Sequence, residues 1–364
     1  MKRRKKDAGG GDIFLAENGR LTRGFDSAIY NSAKVQRPCG FLTLYHAGDT
    51  RNLDRYEFLA GNGYGEDHKP QVLETLLHFC PVEAPTWAEL SHFASFLNVQ
   101  LETTERSVFC NSAVVGEDSG LRGFKGVMVD FNLNMSQDFS SRSIEISDQS
   151  HGDNLARPAI SERRRWETKP HPYIFFNSDE TYSFYGLYLQ RGQEDNRYMD
   201  LVDERSKAIL KRGIMSRQLY DGLRIQGVKF GVSVEEQTRP EKLKGLCQVF
   251  GVEATDPDLS YELTYDNIMK MLAITTRFRA NIPVVMMGET GSGKTRLIRF
   301  MCDLMRGGRD GVKNMLIMKI HGGIDSSDVN RTVKKAIEVA KNNSAMDVGP
   351  TVLFFDEANT TGMS

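Results

Sequence analysis

Two short motifs late in the sequence carry residue types suited to binding a polyphosphate. The first fits the pattern G-x-x-x-x-G-K-[ST] at every fixed position and consists of Gly288, Glu289, Thr290, Gly291, Ser292, Gly293, Lys294 and Thr295. Glycines let such a loop curl so that successive backbone N–H groups face phosphate oxygens. Lys294 is then expected to reach the β- and γ-phosphates, and the Thr295 hydroxyl to coordinate Mg²⁺.

The second motif is the apolar run 351–355, which ends in the carboxylates Asp356 and Glu357. At the end of a strand beside the phosphate-binding loop, Asp356 would take part in the coordination shell of Mg²⁺. Glu357 would polarise the attacking water. Together the motifs predict an enzyme that binds ATP with Mg²⁺ and hydrolyses it. Residues 288–295 form the cofactor-binding loop, Thr295 and Asp356 are the metal ligands, and Glu357 is the catalytic residue.

The elements around these motifs alternate between strand and helix. We predict helices at 263–278, at 294 to just before Gly307, and at 327–342, and buried strands at 282–287, 314–320 and 351–357. The first of these helices has Thr264 or Asp266 as its N-cap. This alternation predicts an α/β fold of the P-loop NTPase class, in which helices flank a parallel sheet.

The order of strand, P-loop, helix, strand, helix and acidic strand resembles that of the AAA+ ATPases. In detail, residues 263–279, 282–291, 319–323 and 354–361 are similar to the mysterin-like family of giant ring-finger AAA+ E3 ubiquitin ligases. A looser resemblance extends upstream through residues 87–98, 171–177 and 219–223. The resemblance implies an AAA+ fold that is preceded by a mixed α+β region and is incomplete at its carboxyl end.

The same resemblance implies partners and a cellular context. The implied partners are ATP, further AAA+ units of the same long chain and the ubiquitin machinery. The implied location is the cytoplasm, which can include lipid droplets. Ubiquitin transfer rests on the family alone, since the sequence has no ring of cysteine and histidine ligands. In AAA+ proteins a further sheet strand, a sensor residue and an arginine finger follow the acidic strand. The chain as given is therefore expected to hydrolyse ATP poorly or not at all.

Changes in composition and in the predicted secondary structure divide the chain into four regions. We predict a basic flexible terminus at 1–20 and a mixed α/β region at 21–160 that belongs to a preceding degenerate AAA+ unit. A connecting region with strands and helices is predicted at 161–255. The amino-terminal part of the ATPase core is predicted at 256–364. Within the second region, Thr86 and Glu89 form a capping box that starts a helix.

Composition excludes several other classes of protein. The 364 residues carry a net charge of −1, so no overall field attracts nucleic acid, and we expect no nucleic-acid partner. The five cysteines are scattered without a C-x-x-C pair, which argues against a zinc site and for reduced thiols. No apolar stretch approaches the ~18 residues of a membrane span, and no signal peptide is evident. These features predict a cytoplasmic protein.

Two alternatives remain beside the AAA+ ATPase. A GTPase would require an N-K-x-D motif that reads the base, and the sequence contains none. A non-catalytic module that binds nucleotide only as a switch or scaffold would keep the phosphate-binding loop without using Glu357.

Overall fold

The computed structural model describes residues 27–111, 120–140, 170–231, 233–289, 291–309, 311–346 and 348–357. These residues form two compact units. The first contains the described residues up to 174, together with 180–232 and 277–283. The second contains residues 175–179, 233–276 and the described residues from 284 onward.

In the amino-terminal part of the first unit, the regular elements within residues 27–111 and 120–140 are all helices, including a short 3-10 helix at Glu66–His68. Its α-helices are α1 (Ser27–Tyr30), α2 (Ala33–Ala47), α3 (Thr50–Arg55), α4 (Lys69–Phe79), α5 (Trp87–Arg106) and α6 (Phe124–Ser140). Apolar side chains that recur every three or four residues point into one shared core. Its fully covered members include Phe41, Leu42, Leu76, Phe93, Leu97 and Val129.

The predicted capping box at the start of α5 is confirmed. The Thr86 hydroxyl accepts a hydrogen bond from the Glu89 backbone N–H at 3.3 Å, and the Glu89 carboxylate accepts one from the Thr86 N–H at 2.7 Å. The helix then buries Leu90 and Leu97, while Trp87 is partly buried against the same core. The cap thus fixes where α5 begins.

Replacing Thr86 with alanine is expected to lower the free energy of unfolding by about 1 kcal/mol, because one helix N–H loses its acceptor. Chemical denaturation monitored by circular dichroism would measure the change. Thr86→Ser keeps the oxygen and should stay within about 0.5 kcal/mol of the parent. Equal losses in both variants would show that the lost methyl contacts, not the cap, matter.

The first unit also contains an antiparallel sheet. After β1 (Tyr173–Phe176) and β2 (Tyr182–Tyr185), the strands β3 (Leu187–Arg191), β4 (Tyr198–Asp203) and β5 (Ile209–Ser216) pair in the order β3–β4–β5, and α7 (Arg217–Ile225) follows. Lys211 of β5 and Tyr45 of α2 both donate to one carboxylate oxygen of Asp130 in α6, at 2.6 and 2.5 Å. This shared acceptor links the sheet to the helices of the same unit.

The second unit has the mixed α/β character that the sequence predicts. Its elements are α8 (Arg239–Phe250), most of α9 (Tyr265–Arg279), α10 (Lys294–Met305), β6 (Met315–Lys319), α11 (Ser326–Ala345) and β7 (Val352–Asp356). Thr264 caps α9, because its hydroxyl accepts the Asn267 N–H at 3.2 Å. Strands β6 and β7 are parallel, with Met315 opposite Val352 and Lys319 opposite Asp356.

Two buried amides fix the starting ends of these parallel strands. Asn314 donates to the carbonyl of Cys302 near the end of α10 at 2.7 Å. Asn343 in α11 donates to the carbonyl of Lys313 at 3.0 Å and to the Thr351 hydroxyl at 2.8 Å. Because both strands are held where they begin, their register places Asp356 at the opposite, carboxyl end of the pair.

The prediction of a buried strand at 282–287 is wrong for the described chain. The segment adopts no strand conformation, and Val285 and Met287 are 84% and 61% exposed. A strand exists only where a neighbour satisfies its backbone N–H and C=O groups. Within the described residues, the parallel sheet of this unit consists of β6 and β7 alone, and neither pairs with this segment.

One further expectation needs correction. The strand-like pieces expected within 21–160 are absent from the described residues up to 140, where helix packing covers the apolar positions. The described residues of the predicted connecting region 161–255 divide between the two units. The helix predicted at 327–342 is present as α11, in which Ala336 is buried but Ile337 is 49% exposed, since a two-stranded sheet offers a narrow surface.

Candidate nucleotide-binding site

The predicted phosphate-binding loop leads directly into helix α10. Gly293 is the residue before the helix, and both Gly291 and Gly293 have left-handed backbones, with φ of 82° and 80°. Side chains other than glycine adopt this region at a cost, so the motif glycines make the curl possible. Thr290 lies outside the described residues. The amino-terminal end of α10 therefore begins at the loop, as an anion site requires.

The Lys294 ammonium group lies inside the curl of the loop. It donates to the carbonyls of Gly288 at 2.9 Å and Glu289 at 2.8 Å, and to the Ser292 hydroxyl at 3.3 Å. A Cβ on Gly288 would lie 3.1 Å from the Ser292 oxygen, a tight contact that would require the hydroxyl to shift slightly. The ammonium is thus held by neutral acceptors at a position where an anionic oxygen would bind it more strongly.

Thr295 and Asp356 meet although 61 residues separate them in sequence. The Thr295 hydroxyl donates to one carboxylate oxygen of Asp356 at 3.0 Å. One residue lies in the first turn of α10 and the other ends β7, so the contact joins the two motifs through the fold. Mg²⁺ takes oxygen ligands and is usually held by one or two protein groups together with phosphates and water. This oxygen pair fits such an ion.

Glu357 follows Asp356 in a conformation that is unusual for its residue type. Its φ is 59°, and its N–H donates to the second carboxylate oxygen of Asp356 at 3.1 Å. Asp356 is therefore oriented by Thr295 on one oxygen and by the Glu357 backbone on the other. A left-handed backbone at a residue other than glycine costs about 1–3 kcal/mol and is enriched at active sites. The local geometry sets Glu357 apart from an ordinary strand end.

One group of residues beside the loop was not predicted as part of the site. Arg296, the residue after Thr295, bonds to Asp258 and Ser260 in the segment before α9. The sequence gives one weak signal for it, an arginine directly after the G-K-T triplet. Its partners lie 38 and 36 residues away, and only the fold brings them together.

None of the helices in the described parts of the chain is both long enough and apolar enough to cross a lipid bilayer.

Comparison with known proteins identifies a family model and several relatives that this chain resembles. Residues 261–363 match the family model of the RNF213 AAA domain. The chain is 42% identical over 349 residues to the E3 ubiquitin-protein ligase RNF213 of Mus musculus, a match that covers 92% of the chain. It is 42% identical over 347 residues to the E3 ubiquitin-protein ligase rnf213-beta of Danio rerio. It is 41% identical over 349 residues to the E3 ubiquitin-protein ligase RNF213 of Homo sapiens.

These relatives are much longer than the present chain. It spans 7% of the mouse protein, 7% of the zebrafish protein and 6% of the human protein, while 92–93% of its own residues are aligned. The matches confirm the resemblance to the mysterin-like ring-finger AAA+ ligases. The chain therefore belongs to the RNF213-like family and carries that family's AAA domain at residues 261–363.

Proposed function

We propose that the second unit binds ATP with Mg²⁺ and hydrolyses it, as an AAA+ module of an RNF213-like protein. The observation that carries this proposal is the 3.0 Å hydrogen bond between Thr295 and Asp356. It unites a phosphate-binding loop with an acidic strand end, and a chance glycine turn would have no reason to lie beside such a carboxylate. The AAA domain match at residues 261–363 supports the same reading.

In the proposed complex, phosphate oxygens replace the loop carbonyls as acceptors for Lys294. The loop N–H groups and the positive end of α10 would contact the same phosphates. Thr295 and Asp356 would hold Mg²⁺, which spreads the charge of the β- and γ-phosphates. Each of these groups is a donor, a cation or a metal ligand, so the arrangement suits a polyanion.

Hydrolysis needs one further group, a base for the attacking water. Glu357 would accept the water proton while the water oxygen forms a bond to the γ-phosphorus and the bond to the β,γ-bridging oxygen breaks. ADP and inorganic phosphate leave, and the proton passes from Glu357 to solvent. Because Glu357 directly follows Asp356, its carboxylate would lie close to a Mg²⁺ ion held by Asp356.

The wider role follows from the relatives, which are named E3 ubiquitin-protein ligases. We propose that ATP turnover in this module changes the conformation of a longer ligase chain, with other AAA+ units and the ubiquitin machinery as partners. A nucleotide switch without hydrolysis is the alternative. Phosphate release distinguishes the two, because a switch binds ATP and releases it unchanged.

A titration with ATP and GTP, each with Mg²⁺ and with EDTA, tests the proposal. Asp356→Asn should remove most of the magnesium dependence of ATP affinity, because an amide is a poorer ligand and orients Thr295 differently. Changes around a metal ligand typically weaken metal affinity by about 10–100-fold.

Asp303→Asn is a matched control at the other end of α10, where Asp303 pairs with Arg306 at 3.3 Å. It should leave both ATP affinity and its magnesium dependence unchanged. Magnesium dependence that persists in Asp356→Asn would contradict the metal assignment, and preference for GTP would contradict the choice of nucleotide.

A further inference from the structure

The segment that joins α8 to α9 lies beside helix α10 within the second unit. Its residues 256–261 are here called the clamp segment. At its amino-terminal side, Val252 lies against Gly307 and Thr255 against Gly308, just beyond the end of α10: Cβ atoms on these glycines would be 3.6 and 3.2 Å from those side chains. The clamp segment then contacts the first turn of α10. It thus follows the helix from its end back to its beginning.

Arg296 connects the clamp segment to the first turn of α10. Its guanidinium donates to the Asp258 carboxylate at 2.9 Å and to the Ser260 hydroxyl at 2.5 Å. Ser260 in turn donates to the other Asp258 oxygen at 2.6 Å. The hydrogen bonds from Ser260 and from Arg296 lower the pKa of Asp258 to about 2, so this carboxylate is ionised at neutral pH. The three side chains form a closed, charge-assisted set.

Tyr261 adds an apolar contact on the next turn of α10. Its ring is stacked on Phe300 of α10, with centroids 4.4 Å apart and planes 22° from parallel. The Arg296 guanidinium lies over the same ring, 5.5 Å from its centroid. Arg296 and Phe300 are four residues apart and therefore share one face of the helix. The clamp segment covers that face next to the phosphate-binding loop.

Arg239 of α8 anchors the clamp segment from its other side. It makes a two-pronged contact with the Asp256 carboxylate at 2.6 and 3.0 Å. It also donates to the backbone carbonyls of Asp258 at 2.9 Å and Tyr261 at 2.7 Å. Such forked contacts from one guanidinium fix backbone orientation. The segment that carries Asp258, the partner of Arg296, is therefore held in place by Arg239.

From this arrangement we infer that Arg296 and Asp258 are positioning residues for nucleotide binding, which clamp the first turn of α10 so that Lys294 and Thr295 meet the phosphates. The inference rests on the proposed ATP-binding function. Lys294 and Thr295 immediately precede Arg296, so a restraint on Arg296 limits movement of both. Preordered donors bind more tightly because less freedom is lost on association.

A purely electrostatic role for the pair makes the opposite prediction for one partner. If Arg296 only added positive potential near the phosphates, Arg296→Gln would weaken ATP binding and Asp258→Asn would strengthen it. If the pair clamps the helix, each change weakens binding, and the double variant is no weaker than the worse single variant, since either change releases the same contact.

The test is titration of the full chain with ATP and Mg²⁺ for the parent, Arg296→Gln, Asp258→Asn and the double variant. The clamp predicts about five- to tenfold weaker binding for each single variant and no further loss in the double. Ser260→Ala removes one hydrogen bond, keeps both charges, and should weaken binding by about two- to threefold. It keeps the inference testable if a charge variant fails to fold.

Arg331→Gln is the matched control, because Arg331 forms a comparably exposed ion pair with Asp328 on α11 of the same unit. It should leave the ATP dissociation constant unchanged at an equal melting temperature. Unchanged or tighter binding by Asp258→Asn, or losses that multiply in the double variant, would overturn the clamp. A parent chain that binds no ATP, or binds it equally well as Lys294→Ala, would instead refute the proposed function on which the clamp depends.

Discussion

Lys294→Ala is expected to weaken ATP binding by about 10²- to 10⁴-fold. In the structure the ammonium lies inside the loop and donates to the carbonyls of Gly288 and Glu289. In the proposed complex it would donate to two phosphates instead. Each charge-assisted hydrogen bond contributes roughly 1.5–3 kcal/mol, and about 1.4 kcal/mol corresponds to a tenfold change in affinity. Loss of two such bonds gives the expected range. Isothermal titration with ATP and Mg²⁺ would measure it.

Folding should be almost unaffected by this change, because the acceptors of Lys294 are loop groups that water can reach. The melting temperature of the variant without nucleotide therefore checks that the loss is local. Lys341→Ala, which removes an exposed lysine from α11 of the same unit, should leave ATP affinity as it is. If Lys294→Ala and the parent bound ATP equally well, residues 288–295 would not be the nucleotide site.

Glu357→Gln should retain ATP affinity but slow phosphate release by about 10²- to 10⁴-fold, the usual contribution of a general base. Glutamine has nearly the same size and can still hydrogen-bond water, but it cannot accept the proton. The backbone N–H that Glu357 donates to Asp356 is kept, so the metal ligand should remain oriented. Single-turnover phosphate release at saturating ATP separates this effect from binding.

Glu338→Gln makes the same chemical change at an exposed position of α11 and serves as the control. It should hydrolyse ATP at the parental rate. Parental turnover in Glu357→Gln would assign the base to another group. Weaker ATP binding in Glu357→Gln would show that this carboxylate acts in the ground state, as a positioning or metal-shell residue.

The local elements of the second unit were predictable because their signals are local. Glycine spacing alone identifies a curled loop before Lys294, and an apolar run before Asp356 indicates a strand whose end carries carboxylates. The same holds for α5, where Thr86 and Glu89 satisfy backbone groups only three residues apart. Contacts of this kind depend on neighbours in sequence, so their residue types and spacing can be read without the fold.

Strand pairing and side-chain exposure could not be predicted in this way, because they depend on residues that are distant in sequence. The apolar residues at 282–287 suggest a strand, but a strand needs a partner, and Val285 is instead 84% exposed. Likewise, an arginine after Thr295 gives no hint that Asp258 and Ser260 hold it.

The sequence by itself thus determined which residue types the proposed site contains: a glycine-rich loop with a lysine, a hydroxyl and two adjacent carboxylates. The tertiary structure alone decided which of these groups meet. Thr295 contacts Asp356 because α10 starts where β7 ends, and Arg296 is held because the clamp segment runs back along the same helix. Motif chemistry is encoded in residue type, whereas such long-range contacts depend on how the whole core packs.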